Sequence, residues 1–237
     1  MASESYDQQT KWPKHHLPYG FDPIVWLNTA KNPGLGVHQL TMEGITGRGI
    51  SIALIDKPIR SSHSEFANRI SYIEVFNNPG SHEPWHFHGI ACASILAGKT
   101  IGVAPGAHLY YFAVPDNGEN FLNYSKAIEQ MLIINRNLKP EDKIRLVSIS
   151  DGAIGPYTKE WEVTKAKLKA EGIDYLYAGP DVLSGFLWGG CPPFHERELP
   201  EYYEISSYLK SKGVTKGLIV PADYRTTASN NVHCSRF

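Results

Sequence analysis

Three cysteines in 237 residues, Cys92, Cys191 and Cys234, are odd in number and widely spaced, which argues against a disulfide framework and against a zinc site. They read as buried or free thiols. Charge excess is also missing: 23 Lys and Arg against 24 Asp and Glu leave a formal net charge of -1, without the basic surplus of a nucleic-acid binder. Nucleic acid is therefore not an expected partner. No apolar run approaches the roughly 20 residues of a membrane span. The polar opening from Met1 to Gln9 lacks the apolar core of a signal peptide. A cytoplasmic location without a membrane partner is the expectation.

What is present is an ordinary globular composition, 42% hydrophobic and 20% charged, in a chain long enough to bury one sizeable core. Residues 1–20 are polar, with Pro13, Pro18 and the pair His15-His16, and read as a flexible N-terminal arm; 21–237 reads as the folded domain. Two short helices flank the turn cluster Asn32-Pro33-Gly34. The near-continuous apolar run 50–55 then suits a parallel strand covered on both faces, ending on Asp56. Further strands are expected at 70–76, 109–114, 144–150 and 173–178. Helices are expected from His88 to Gly98, over 121–138 with Ile128, Met131, Leu132 and Ile134 on the apolar side, and over 158–171. Strand and helix alternate, which points to an α/β three-layer sandwich with a mostly parallel sheet and crossover helices on both faces. In such folds functional groups gather beyond the carboxyl ends of the strands.

Asp56 is one such group. A carboxylate there either caps a turn or accepts a hydrogen bond from one nitrogen of an imidazole, fixing the tautomer so that the other nitrogen serves as base. His88, at the start of a helix of small and apolar residues, is either an ordinary helix-start histidine or that base. His82, His86 and His88 form a third possibility, an H-x-H pair plus another histidine able to ligate zinc. Carboxylate or thiolate partners for them are not evident nearby, so no metal and no cofactor is assigned.

Four blocks carry a resemblance that bears on these alternatives. They are Gly47-Arg48-Gly49-Ile50-Ser51-Ile52-Ala53-Leu54-Ile55-Asp56, His63-Ser64-Glu65-Phe66, His88-Gly89-Ile90-Ala91-Cys92-Ala93-Ser94-Ile95-Leu96-Ala97-Gly98 and Gly102-Val103-Ala104-Pro105-Gly106-Ala107. In order and spacing they resemble the subtilisin-like serine proteases, the subtilase family. The resemblance implies a serine endopeptidase acting on peptide or protein substrates, with Asp56 as the triad acid and His88 as the general base. It also implies that Ser150, Asp151 and Gly152 form the extended edge along which a peptide pairs as an added strand. Asp151 stands where the family usually has an apolar residue.

Two further departures concern the chemistry. The family follows the strand equivalent to 173–178 with an Ala-Gly-Asn turn whose asparagine stabilises the oxyanion, whereas here Ala178-Gly179 is followed by Pro180 and Asp181. Neither proline nor an ionised aspartate donates the required hydrogen bond. The family's nucleophile opens a later helix in a Gly-Thr-Ser-type motif. No such motif follows 217–223, and Ser229 and Ser235 read as polar tail residues. The nucleophile is therefore unassigned, and the C-terminal part of the family's fold is expected to be missing. The alternative to a peptidase is an inactive remnant or pseudo-protease that binds extended peptides. An incomplete sheet would expose apolar surface, favouring aggregation or a completing chain.

Overall fold

The computed structural model describes residues 10–13, 17–66, 68–76, 85–115, 121–150 and 158–177. The chain divides into two units, Met1–Gln39 with Gly189–Phe237, and Leu40–Trp188. In the first, helix α1 (Pro23–Lys31) begins where proline is best tolerated, at its first position. Asp22 Oδ1 accepts from the amides of Ile24 and Val25 at 2.8 and 3.2 Å, the N-cap arrangement expected of aspartate. Trp12 and Phe21 meet edge to face. Helix α2 (Val37–Met42), within which the boundary between the units falls, follows the turn at Asn32, whose Oδ1 accepts from the Gly34 amide at 3.0 Å.

The second unit holds the sheet. Its strands are β1 (Ser51–Asp56), β2 (Ile70–Glu74), β3 (His108–Ala113), β4 (Ile144–Ile149) and β5 (Asp174–Tyr177), in the order β2-β3-β1-β4-β5. Every pairing among the described strands is parallel, which gives the expected α/β class. β1 is central and buried along its whole length, as its unbroken apolar run requires. Helix α3 (Phe87–Ala97) connects β2 to β3, α4 (Phe121–Asn137) connects β3 to β4, and α5 (Thr158–Ala170) connects β4 to β5. The β3-to-β4 connection carries the chain across β1, so the strand order reverses around β1, the position at which parallel sheets place their sites.

Alternation along β1 and β3 sorts the two cores. Ala53, Ile55 and Phe112 share one cluster with Tyr124, Ala127, Ile128, Met131 and Leu132 of α4 and with Trp161 and Leu168 of α5. Leu54, Leu109, Tyr111 and Ala113 share the other with Cys92, Ala93 and Ala97 of α3 and with Ile59 and Phe66. Asp56 lies two residues beyond Leu54 and so faces the α3 layer.

The buried stripe of α4 recurs at helical spacing from Tyr124 to Leu132 and then ends on a polar residue. Asn135 accepts from the Ile144 amide through Oδ1 at 2.7 Å and donates to the Ile144 carbonyl through Nδ2 at 3.2 Å. It thus satisfies the first backbone groups of β4 inside the protein. Ile134, expected on the apolar side, is only partly buried, because the stripe turns past it to Asn135. None of the described helices is long and apolar enough to cross a membrane.

Candidate active site

The site lies where β1 ends and α3 begins. Asp56 is 1% exposed, and its Oδ1 accepts from the Lys57 amide at 2.7 Å and from His88 Nδ1 at 2.9 Å. A carboxylate only accepts, so Nδ1 carries the proton and Nε2 is left to take one. The His88 side chain is 20% exposed, which leaves the ring in contact with solvent. The hydrogen bond to Asp56 comes first among the causes that raise the His88 pKa to about 10, ahead of the contact with Cys92 and against the effect of burial. The ring therefore holds its proton firmly when paired with a buried carboxylate.

Local sequence dictates how His88 reaches that place. The chain enters α3 along Trp85 and His86, and the His86 amide donates to the Pro58 carbonyl at 2.8 Å, tying the entry to the loop after β1. His86 is the N-cap: its Nδ1 accepts from the His88 amide at 3.2 Å. Histidine is not among the preferred caps, and no sequence signal singles it out for this role. Gly89 then allows the helix to lie against the β1 loop. A Cβ there would fall under 3.0 Å from Tyr111 Oη, the Lys57 carbonyl oxygen and Ile59 Cγ2. Tyr111 fills that narrow gap and donates its hydroxyl to the Lys57 carbonyl. Burial raises the tyrosine's pKa, so the hydroxyl remains a donor.

The far end of α3 is fixed as firmly. Gly98 closes the helix in extended backbone, and what requires glycine is proximity, since a Cβ would meet the Ser94 carbonyl oxygen and Glu65 Oε2. Glu65 accepts from the Thr100 amide at 2.9 Å and from its hydroxyl at 2.6 Å. The guanidinium of Arg69 donates to the carbonyls of Ala107, Glu65 and Ala97 at 3.0, 2.8 and 2.9 Å. The block His63-Ser64-Glu65-Phe66 is thus structural: Phe66 is buried in the α3 layer, and Glu65 with Arg69 holds the helix's C-terminus.

Asp56 and His88, distant in sequence, are therefore brought into direct contact. Ser150 is half-buried and follows Ile149, which pairs with Ile55, so the end of β4 reaches the same edge as Asp56. Up to Ile149, β4 is an interior strand between β1 and β5. Asp151, Gly152, Pro180, Asp181, Ser229, Ser235 and His82 lie outside the described residues. One expectation is corrected. His88 does have carboxylate and thiol neighbours: Asp56 and Cys92 both lie against it, and the donor atoms of the three are within 4.8 Å of one another. Cys92, one helical turn from His88, was available from the spacing alone. His86 faces its capping bond, with its ring centroid 6.3 Å from that of His88.

A model of the subtilase family matches residues 47–179. The cuticle-degrading protease of Metarhizium anisopliae is 34% identical over 110 residues, 45% of this chain and 28% of that protein. Proteinase R of Parengyodontium album is 24% identical over 165 residues, 68% of this chain and 39% of that protein. The chain thus spans well under half the length of these relatives. Among solved structures, a cold-adapted subtilisin-like serine proteinase is 17% identical with a TM-score of 0.45, covering 66% of this chain and 53% of the other. The family match covers more than half of the sequence and contains both Asp56 and His88: the chain belongs to the subtilase family.

Proposed function

We propose that this chain carries the acid and base of a subtilisin-like serine endopeptidase, Asp56 orienting the ring and His88 Nε2 taking the proton of a serine hydroxyl. The observation that carries this reading is the 2.9 Å hydrogen bond between His88 Nδ1 and a carboxylate that is 1% exposed, at the carboxyl end of the central strand. As Nε2 accepts the serine proton, the ring becomes an imidazolium, and Asp56 stabilises that charge without itself taking the proton. Burial makes the stabilisation effective, because few waters screen it. The substrate would be a peptide, laid along the chain that continues from Ser150 through Asp151 and Gly152.

In the free chain His88 retains its proton at neutral pH, so base function belongs to the alkaline side. The test is covalent labelling of the purified chain with a fluorophosphonate. One serine should be modified, at a rate that climbs with pH toward about 10 and falls about 10²- to 10⁴-fold in a His88→Ala variant. Absence of labelling at any serine would sink autonomous activity. It would favour the second reading, a peptide-binding pseudo-protease.

A further inference from the structure

We infer that Asp56, His88 and Cys92 form a site for one divalent cation of the zinc class, a ligand that competes with the acid–base pair for the same atoms. Three different donor types converge here: a carboxylate oxygen, an imidazole nitrogen and a thiol sulfur, with their atoms within 4.8 Å of one another. Cys92 Sγ is 3.8 Å from His88 Nδ1 and 3.9 Å from Nε2, and Asp56 Oδ1 is 2.9 Å from Nδ1. A tetrahedral zinc ion, with Zn–S near 2.3 Å and Zn–N and Zn–O near 2.0–2.2 Å, sets its ligand atoms roughly 3.3–3.7 Å apart. Shifts of roughly 1–1.5 Å convert the observed trio into a ligand set.

The scaffold favours this outcome on two counts. His88 and Cys92 stand one turn apart on α3, and Asp56 ends the fully buried central strand, so the donors come from elements already packed together. Asp56 Oδ2, moreover, is buried and has no hydrogen-bond partner among the described residues. A buried carboxylate oxygen without a donor is costly, and a cation would satisfy it. The near-equal distances from Sγ to the two ring nitrogens place the sulfur beside the ring rather than along either lone pair.

Thiolate and imidazole select the zinc class over calcium or magnesium, which prefer oxygen donors. Binding releases two protons to solvent, one from the thiol and one from His88 Nδ1. Three protein donors leave the fourth position to water. With the ion on Nδ1, Asp56 no longer orients the ring and His88 is withdrawn from acid–base work. The site does not depend on a serine, and its test is separate from the labelling experiment.

Cadmium provides the readout, through the charge-transfer absorption of a cadmium–thiolate bond. The full chain carrying Cys191→Ser and Cys234→Ser is titrated with Cd²⁺, so that only Cys92 contributes. The expected result is saturation at one ion per chain, loss of the band in Cys92→Ser, and affinity lowered at least about tenfold in Asp56→Asn and in His88→Gln. Zinc should displace the cadmium. A band whose affinity is unchanged in both Asp56→Asn and His88→Gln overturns the site and leaves a simple thiol. Absence of any band in the parent overturns it as well. The wild-type chain supplies a readout that needs no substitution: the ¹⁵N resonance of His88 Nδ1 should move on zinc addition, and an unmoved resonance also refutes the site.

Discussion

On one face of β1, Ala53 and Ile55 join Ile128, Met131 and Trp161 in a core made almost wholly of aliphatic and aromatic carbon. On the other, Leu54 and Asp56 face α3, where the residues pressed against the sheet are small: Gly89, Cys92, Ala93 and Ala97. The first layer has bulk to spare and pairs its few buried polar groups with one another or with backbone. There Asn135 serves β4, and the Thr164 hydroxyl bonds that of Ser125 at 3.0 Å. The second draws a helix close enough for an imidazole to reach a buried carboxylate. The α4–α5 layer supplies stability through volume, whereas the α3 layer spends its close packing on geometry. Substitutions should separate the two roles.

The largest loss is expected in the layer that does no chemistry. Ile128 is fully buried, and Ile128→Ala should lower stability by about 2–5 kcal/mol in urea denaturation, through lost burial plus a cavity. The His88–Asp56 hydrogen-bonded proton should keep its NMR shift in the folded fraction. A loss below about 1 kcal/mol would show that this layer relaxes into the gap and is less rigid than its packing implies.

Adding a single methyl to the other layer should come next. Alanine inside a helix ordinarily stabilises relative to glycine by about 0.5–1 kcal/mol. Gly89→Ala should instead destabilise by about 1–3 kcal/mol, because the new carbon meets Tyr111, Lys57 and Ile59 and pushes α3 off β1. It should also displace the His88 proton resonance, as Ile128→Ala does not. A more stable Gly89→Ala protein would mean that the helix has room here and that closeness does not set the pair.

The third comparison is the pair's own dependence on pH, followed with a chelator present. His88 has its pKa raised from 6.5 to about 10 in the folded protein, so folding is favoured by the bound proton. The stability advantage over a His88→Gln variant should be complete below pH 6.5 and should fade as pH rises through about 10. A difference that grew with pH over that window would reverse the assignment of the proton.

Much of this was readable from residue patterns, for identifiable reasons. The unbroken apolar run before Asp56 marks a strand buried on both faces, and burial along all of β1 matches it. Gly172, with φ of +65°, ends the α5 region where glycine suits a left-handed turn, as the pattern expects. Asp56 and His88 could be paired because the ordered blocks around them resemble a family. What escaped depends on distances between segments. Tyr111 carries no motif, yet it defines the gap that Gly89 must fit. His86 looked like half of an H-x-H ligand pair and proves to be a helix cap: its own amide is held by the Pro58 carbonyl and its ring accepts from the His88 amide. Cysteine counting argued against a metal site by assuming several thiols, whereas the trio at His88 uses one.

The position of β1 also bears on synthesis. It is made before both of its neighbours: β1 ends at Asp56, β3 at Ala113 and β4 at Ile149. At translation rates of about 5–20 residues per second, roughly 3–11 s separate the completion of β1 from that of its first neighbour. Throughout that interval a strand of Ile, Ala and Leu has both hydrogen-bonding edges open, a condition that invites pairing with other nascent chains. The arrangement that later shields Asp56 from water leaves the growing polypeptide open to mispairing.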